Sequence, residues 1–457
     1  MTTAKRTPPQ RRLRALLLGS ELASGAAWGA VGATLAGSSG ARAALTAHGS
    51  AGADSLAPLL LTLAALPLGS LVGAPALDFV SRAGGRRPAM LTCAVLTVLG
   101  CLLAAADRSF LCVTGIGVVG LGVGGYAIVA PKLAHELAEH GHRRLMPRMR
   151  AAAPAGAGLA VLAGALGALL SPAQGVACAW TTPQLAAIGS LLLMLTLPET
   201  PQWYAAQGRV DAAYAALQRM LGGLEAAVGI DWVMMDTGTR GEQHPIGRSD
   251  LAIKRVRRTV VAGLLLEAVQ ALPLGLASLC LGPSLLAQAA GAADAAGTGM
   301  TTLPVGIAAV LAAAWAAIAL LGTRRRGDLY AYAWILAGIG ASACAVTLLA
   351  LADTVHGVGL VTLLAGVDAL LVACQFLAVA PACTGSIDPL VPPWLLRSQR
   401  RAVATLRPLV QLVSVTAPAL LLALVPAPTA IGVVLGCQVL SLLAAVVTLP
   451  WALAAMR

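Results

Sequence analysis

The chain has 457 residues, of which 58% are hydrophobic and only 11% charged, with a formal net charge of +12. Its mean hydropathy is +0.82. A soluble domain carries about 25% charged residues, so water is excluded as the main solvent and a lipid bilayer fits instead.

Apolar runs long enough for a hydrocarbon core of roughly 30 Å fall near residues 13–37, 56–80, 88–106, 109–131, 151–170 and 180–197. Six more fall near 259–281, 302–322, 329–351, 357–381, 402–425 and 430–453. The first is too long, and lacks the small-residue cleavage site, for a removable signal peptide, so it is expected to remain as a span. With a cytoplasmic N-terminus, alternate loops carry Lys5 to Arg14, Arg82/Arg86/Arg87, Arg143 to Arg150, Arg209 to Arg258, Arg324 to Arg326 and Arg397 to Arg401. Only Arg42 and Arg108 fall on the other side. That is the positive-inside pattern. The basic charge is therefore topological, no nucleic-acid partner is expected, and both termini are placed in the cytoplasm, at an inner or plasma membrane. Between 198 and 258 the chain turns polar, and Val210, Tyr214, Leu217 and Leu221 recur at helical spacing, which predicts an amphipathic helix outside the membrane.

The expected architecture is an all-α polytopic membrane protein of twelve spans. Residues 1–197 form one six-helix half, 198–258 a cytoplasmic linker and 259–457 the second half. The 50 glycines, many alanines and 4% aromatics predict helix seams of small residues, because lipid supplies no hydrophobic drive between helices. Nine cysteines, among them Cys93, Cys101, Cys178, Cys374 and Cys437, lie singly in apolar runs. They read as buried thiols rather than metal ligands or disulfides.

The halves look duplicated. Spans two and three are joined by Gly84-Gly85-Arg86-Arg87-Pro88, and spans eight and nine by Gly322-Thr323-Arg324-Arg325-Arg326-Gly327-Asp328. Span four ends in Glu136 followed by Arg143, and span ten in Asp388 followed by Arg397. Repeated halves around a midplane site suit a transporter whose halves rock against each other.

Three stretches carry a family resemblance. From Gly120 the chain reads GLGVGGYAIVAPKLAHELAEHGHRR, with Gly120, Gly122 and Gly124 before Pro131, Glu136 and Arg143. After the sixth span come Pro198-Glu199-Thr200-Pro201, Trp203 and Gly208-Arg209. Gly69 and Gly73 lead to Asp78 and then Arg86-Arg87, across a loop about three residues longer than usual. Together these resemble the sugar porter family of the major facilitator superfamily; the likeness covers the N-terminal half and thins in the C-terminal half. It implies a major facilitator fold. It also implies a cytoplasmic latch of Asp78, Arg86, Arg87, Glu136, Arg143, Glu199, Asp388 and Arg397 that favours the outward-facing state. Ordinary solvated loop charges are the plain alternative.

Ionisable residues inside spans are costly and usually functional. Glu21, Glu267 and Asp368 are the clear ones. Glu21 stands where proton-coupled sugar porters have an acid in the first helix, although the family's Arg partner falls at Ile116; a side chain reaching to the interface is the alternative. Gln270 matches one of the family's paired glutamines, but the second is Ala271 and the later Asn is Leu276. The family's fifth-helix Gln falls near Ala151 and its tenth-helix Trp near Cys383. Glu267, one turn before Gln270 on the same face, could replace the missing groups for another solute. Gln270, Glu267 and Asp368 are thus the substrate-binding candidates and Glu21 the proton-coupling one. Pro273 and Pro381 interrupt two of the spans, as in gating helices.

No P-loop, HExxH or GxSxG is present, so an ATP-driven pump or membrane enzyme lacks its chemistry, and no cofactor or metal is expected. The reading is a sugar-porter-like uniporter or proton symporter of a small polar organic solute, working as a monomer in the bilayer. Efflux of an amphipathic compound and a non-transporting sensor are the rivals. The chain's end at Trp451 to Arg457, just after the last span, favours a transporter over a sensor with long tails.

Overall fold

The computed structural model describes residues 8–37, 53–106, 108–137, most of 152–234 and a few isolated positions beyond, some of them between 408 and 420. The described helices include α1 (Pro8–Gly37), α2 (Ala53–Ala83), α3 (Arg86–Ala104), α4 (Ser109–Leu137), α5 (helical over 156–164), α6 (Pro172–Leu195), α7 (Pro201–Ala206) and α8 (Val210–Leu221). Spans seven to twelve of the sequence reading lie largely outside the described residues.

Four of these helices are long and apolar enough to cross a membrane: residues 57–83, 86–104, 109–133 and 173–195. Their large apolar side chains face outward in stripes. On α2 these are Leu61, Leu68, Val72 and Phe79, and on α6 Leu185, Leu192 and Leu195, at the spacing of one helical face. In a bilayer those faces meet lipid, and the protein is an integral membrane protein. α1 is less apolar, being rich in Gly, Ser and Ala. From Leu13 to Leu35 most of its side chains are buried, so it needs no lipid-facing stripe.

Two boundaries differ from expectation for identifiable reasons. The sixth span begins at Pro172 rather than near 180, because Ser171 accepts the Gln174 amide and Pro172 occupies the first helical turn, where a missing N–H costs nothing. α4 runs past Pro131 to Leu137, since a membrane helix tolerates an internal proline. α2 likewise remains one helix through Pro58, Pro67 and Pro75.

α2 packs along α4, α4 along α3, α1 along α6, and α3 along α6. Small residues make this possible. A Cβ at Gly69 would overlap the Gly117 carbonyl, one at Gly120 the Leu66 carbonyl, and one at Gly124 the Ser70 carbonyl. The backbones of α2 and α4 therefore touch directly, and Ser70 Oγ donates across the seam to Gly120 O at 3.0 Å. On its other side α4 meets α3 through Gly115, beside Gly100. Gly25 and Gly29 of α1 meet Ala153 and Ala157 in the same way. The predicted small-residue seams are present. Buried across the bundle, Trp180 Nε1 donates to Thr34 Oγ1 at 3.0 Å, tying α6 to α1.

Cys93 and Cys101 are buried free thiols, as expected, whereas Cys178 is only half-buried; Cys374 and Cys437 lie outside the described residues. The amphipathic helix is α8, but its buried face is rotated from the expected one. Val210 is 40% and Tyr214 36% exposed, while Ala213, Ala216, Leu217 and Met220 are buried. Alanine lets α8 approach closely, and Met220 joins the apolar cluster of Leu13, Leu16 and Leu17 on α1.

Candidate functional site

The chain reverses between α2 and α3, and again between α6 and α7, so the C-termini of α2, α4 and α6 and the N-terminus of α3 meet at one end of the bundle. Here Asp78, Glu136 and Glu199 face Arg82, Arg86, Arg87 and Lys132. All three acids are less than a tenth exposed, and acids buried that far need partners.

Glu136 is held by Arg86. The Arg86 Nε donates to Oε2 at 2.9 Å and Nη2 to Oε1 at 2.6 Å, a forked geometry that fixes both side chains. Arg86 Nη1 also donates to the Ser81 carbonyl at 3.0 Å, so one guanidinium joins the ends of α2, α3 and α4. Asp78 pairs with Arg82 one turn on, at 2.8 Å, and with Lys132 of α4.

Glu199 acts on backbone. Its Oε1 accepts the Arg86 amide at 3.0 Å and its Oε2 the Arg87 amide at 3.0 Å. Oε1 also takes the Thr200 amide at 2.9 Å. These are the first two amides of α3, where a helix presents unsatisfied donors and positive partial charge. The residue before them, Gly85, has no side chain with which to cap the helix and sits at φ 109°, a left-handed conformation that glycine adopts without strain. A Cβ there would collide with the Glu199 carboxylate. The two-residue turn thus ends in a glycine that opens a slot for an acid 114 positions later in the chain.

Further bonds attach the segment after α6. Gln202 Nε2 donates to the Glu136 carbonyl at 2.7 Å, Trp203 Nε1 to the Arg82 carbonyl at 3.2 Å, and Arg87 Nη2 to the Leu195 carbonyl at 3.0 Å. Arg209 stacks over Tyr204 at 5.2 Å.

Of the residues singled out from sequence, Asp78, Arg86, Arg87, Glu136 and Glu199 are brought together here; Arg143, Asp388 and Arg397 lie outside the described residues. Lys132 and Gln202 were missed. Lys132 lies between Pro131 and Glu136, at the end of the apolar run, and nothing in its spacing marks Asp78, 54 positions earlier, as its partner. Glu21 is half-buried on α1, and Ile116, where a counter-charge was sought, is fully buried on α4. Gln270, Glu267 and Asp368 lie outside the described residues. Among the described residues no cluster of His, Cys, Asp or Glu could hold a metal ion.

The sequence matches the family profile described as "Sugar (and other) transporter" over residues 17–449. It is 32% identical over 214 residues to probable inositol transporter 2 of Arabidopsis thaliana, covering 44% of this chain and 36% of that protein. It is 28% identical over 170 residues to the facilitated trehalose transporter Tret1 of Apis mellifera ligustica, covering 36% of this chain and 30% of that one. The aligned part thus spans about a third of the length of these curated relatives. Among solved structures, the inward open xylose transporter XylE from E. coli superposes with a TM-score of 0.68 at 17% identity, over 96% of this chain and 95% of that one. Its partially occluded inward open form gives 0.66 at 17% identity, over 94% and 98%. These likenesses establish the fold of the major facilitator superfamily.

Proposed function

Because this chain belongs to the sugar (and other) transporter family, we propose that it carries a small polar organic solute, of the sugar or polyol class, across the membrane by alternating access. The relatives' names, an inositol and a trehalose transporter, support that substrate class. The observation that carries the reading is the Arg86–Glu136 pair, locked between α2, α3 and α4 at the basic end. Exposed pairs contribute about 0–1 kcal/mol each, whereas Arg86 and Glu136 are largely buried. Losing one partner of such a pair costs about 3 kcal/mol, which makes the pair a firm anchor for a network that switches between two states.

In this reading the basic end is cytoplasmic, with both termini on that side, and residues 1–197 and 259–457 are the two rocking halves joined by 198–258. Asp78, Arg86, Arg87 and Glu136 form one side of the latch, completed by Arg143, Asp388 and Arg397. Gln270, Glu267 and Asp368 bind solute, and Glu21 exchanges the proton in a symport cycle. The departures at Ala271, Leu276 and Cys383 favour a solute other than hexose.

The test is a thermal-shift screen of purified protein against monosaccharides, polyols, organic acids and amphipathic drugs, repeated with Glu267→Ala and Gln270→Ala, followed by counterflow in proteoliposomes. Stabilisation by a sugar or polyol that either substitution removes, with counterflow of the same compound, is expected. Hits confined to amphipathic drugs would overturn the substrate class in favour of efflux, and a screen and counterflow assay that are both silent would favour the sensor.

A further inference from the structure

This inference rests on the transport reading above and concerns which parts of the molecule move. By resemblance Glu199 belongs to a latch that opens and closes. Its bonds argue otherwise. Both carboxylate oxygens are occupied by backbone amides, those of Arg86, Arg87 and Thr200. The third helical residue of α3, Pro88, has no N–H. Glu199 therefore satisfies both donors that the first three residues of α3 possess, and it is 7% exposed while doing so. Opening this contact would strand two helix-end amides and a buried carboxylate together, which is expensive on both sides.

We propose that Glu199 is a permanent cap of α3, a positioning residue and not a latch element, so that α7 and α8 travel with α1 to α6 through the whole cycle. Independent contacts point the same way. Gln202 holds the end of α4 and Trp203 the end of α2. Met220 of α8 is buried among Leu13, Leu16 and Leu17 of α1. α7 and α8 are thus fastened to four helices at four separate places. A segment so attached cannot swing against that body without breaking all of them.

The experiment places cysteines at the exposed Ala83 and Ala206, the latter one turn past Trp203 on α7, and joins them with a short flexible cross-linker cleavable by reductant. Single-cysteine variants serve as reactivity controls. Counterflow is expected to change less than twofold on cross-linking. A tenfold loss that reductant reverses would overturn the proposal. Absence of counterflow in the unmodified wild type as well would count against the transport reading instead. Hydrogen exchange of the full chain then decides the cap without any substrate: Glu199→Gln should raise exchange about tenfold both in the first turn of α3 and over residues 201–206, and Gly85→Ala should do the same without adding to it. Faster exchange over 201–206 with α3 unchanged would overturn it.

Discussion

The α2–α4 seam and the basic end of the bundle solve the same problem, fixing helices against each other, by opposite means. Along the seam the side chain has been removed: Gly69, Gly120 and Gly124 let backbone touch backbone, and Ser70 adds a single polar bond across. At the basic end the contacts are long, charged and directed, with Arg86 and Glu199 each reaching three groups. The difference follows the solvent. In lipid, close packing is what holds helices together; at the water boundary only buried charges with complete sets of partners give directional hold. Tolerance should differ accordingly, with the seam failing on added volume and the basic end on lost partners.

Gly120→Leu should break the comparison most severely. A side chain there meets the Leu66 carbonyl, so a loss on the order of 3 kcal/mol or more is expected, seen as failure to recover monodisperse protein on size exclusion. Glu136→Ala, which leaves Arg86 without its carboxylate, should cost about 3 kcal/mol, read as a lower midpoint in denaturing mixed micelles. Glu199→Gln keeps the shape of the cap but loses its charge and one of its two acceptor oxygens, and about 1–2 kcal/mol is expected in the same titration. Ser70→Ala should cost about 0.6 kcal/mol; a larger effect would show that the seam depends on its one polar bond more than on its packing. Arg82→Gln should be smallest, within about 0.5 kcal/mol, because Arg82 is half exposed and Asp78 keeps Lys132.

Much of this was legible in the residues. Spans two to four emerge within a few positions of 57–83, 86–104 and 109–133, because continuous apolar runs bounded by glycine and arginine leave little freedom. The acids and arginines of the basic end were legible as a group. Which atoms they bind was not, since Glu199 acts on amides and nothing in a side-chain pattern announces a backbone partner. The sixth span was placed too late because its opening, from Pro172 to Cys178, is weakly apolar, and only the Ser171 cap with Pro172 behind it marks the start. The face of α8 was misread because Ala213 and Ala216 count for little in a hydropathy pattern yet allow the nearest approach.

The three prolines of α2 have a mechanical consequence. Each leaves the carbonyl four residues earlier, at Asp54, Leu63 and Leu71, without its helical donor, so α2 is interrupted about every two turns. α3 carries one proline, Pro88, in its first turn, where no donor is lost. Of two helices flanking α4, one is therefore a compliant rod and the other a stiff one. Load applied at the basic end is expected to bend α2 more readily than α3.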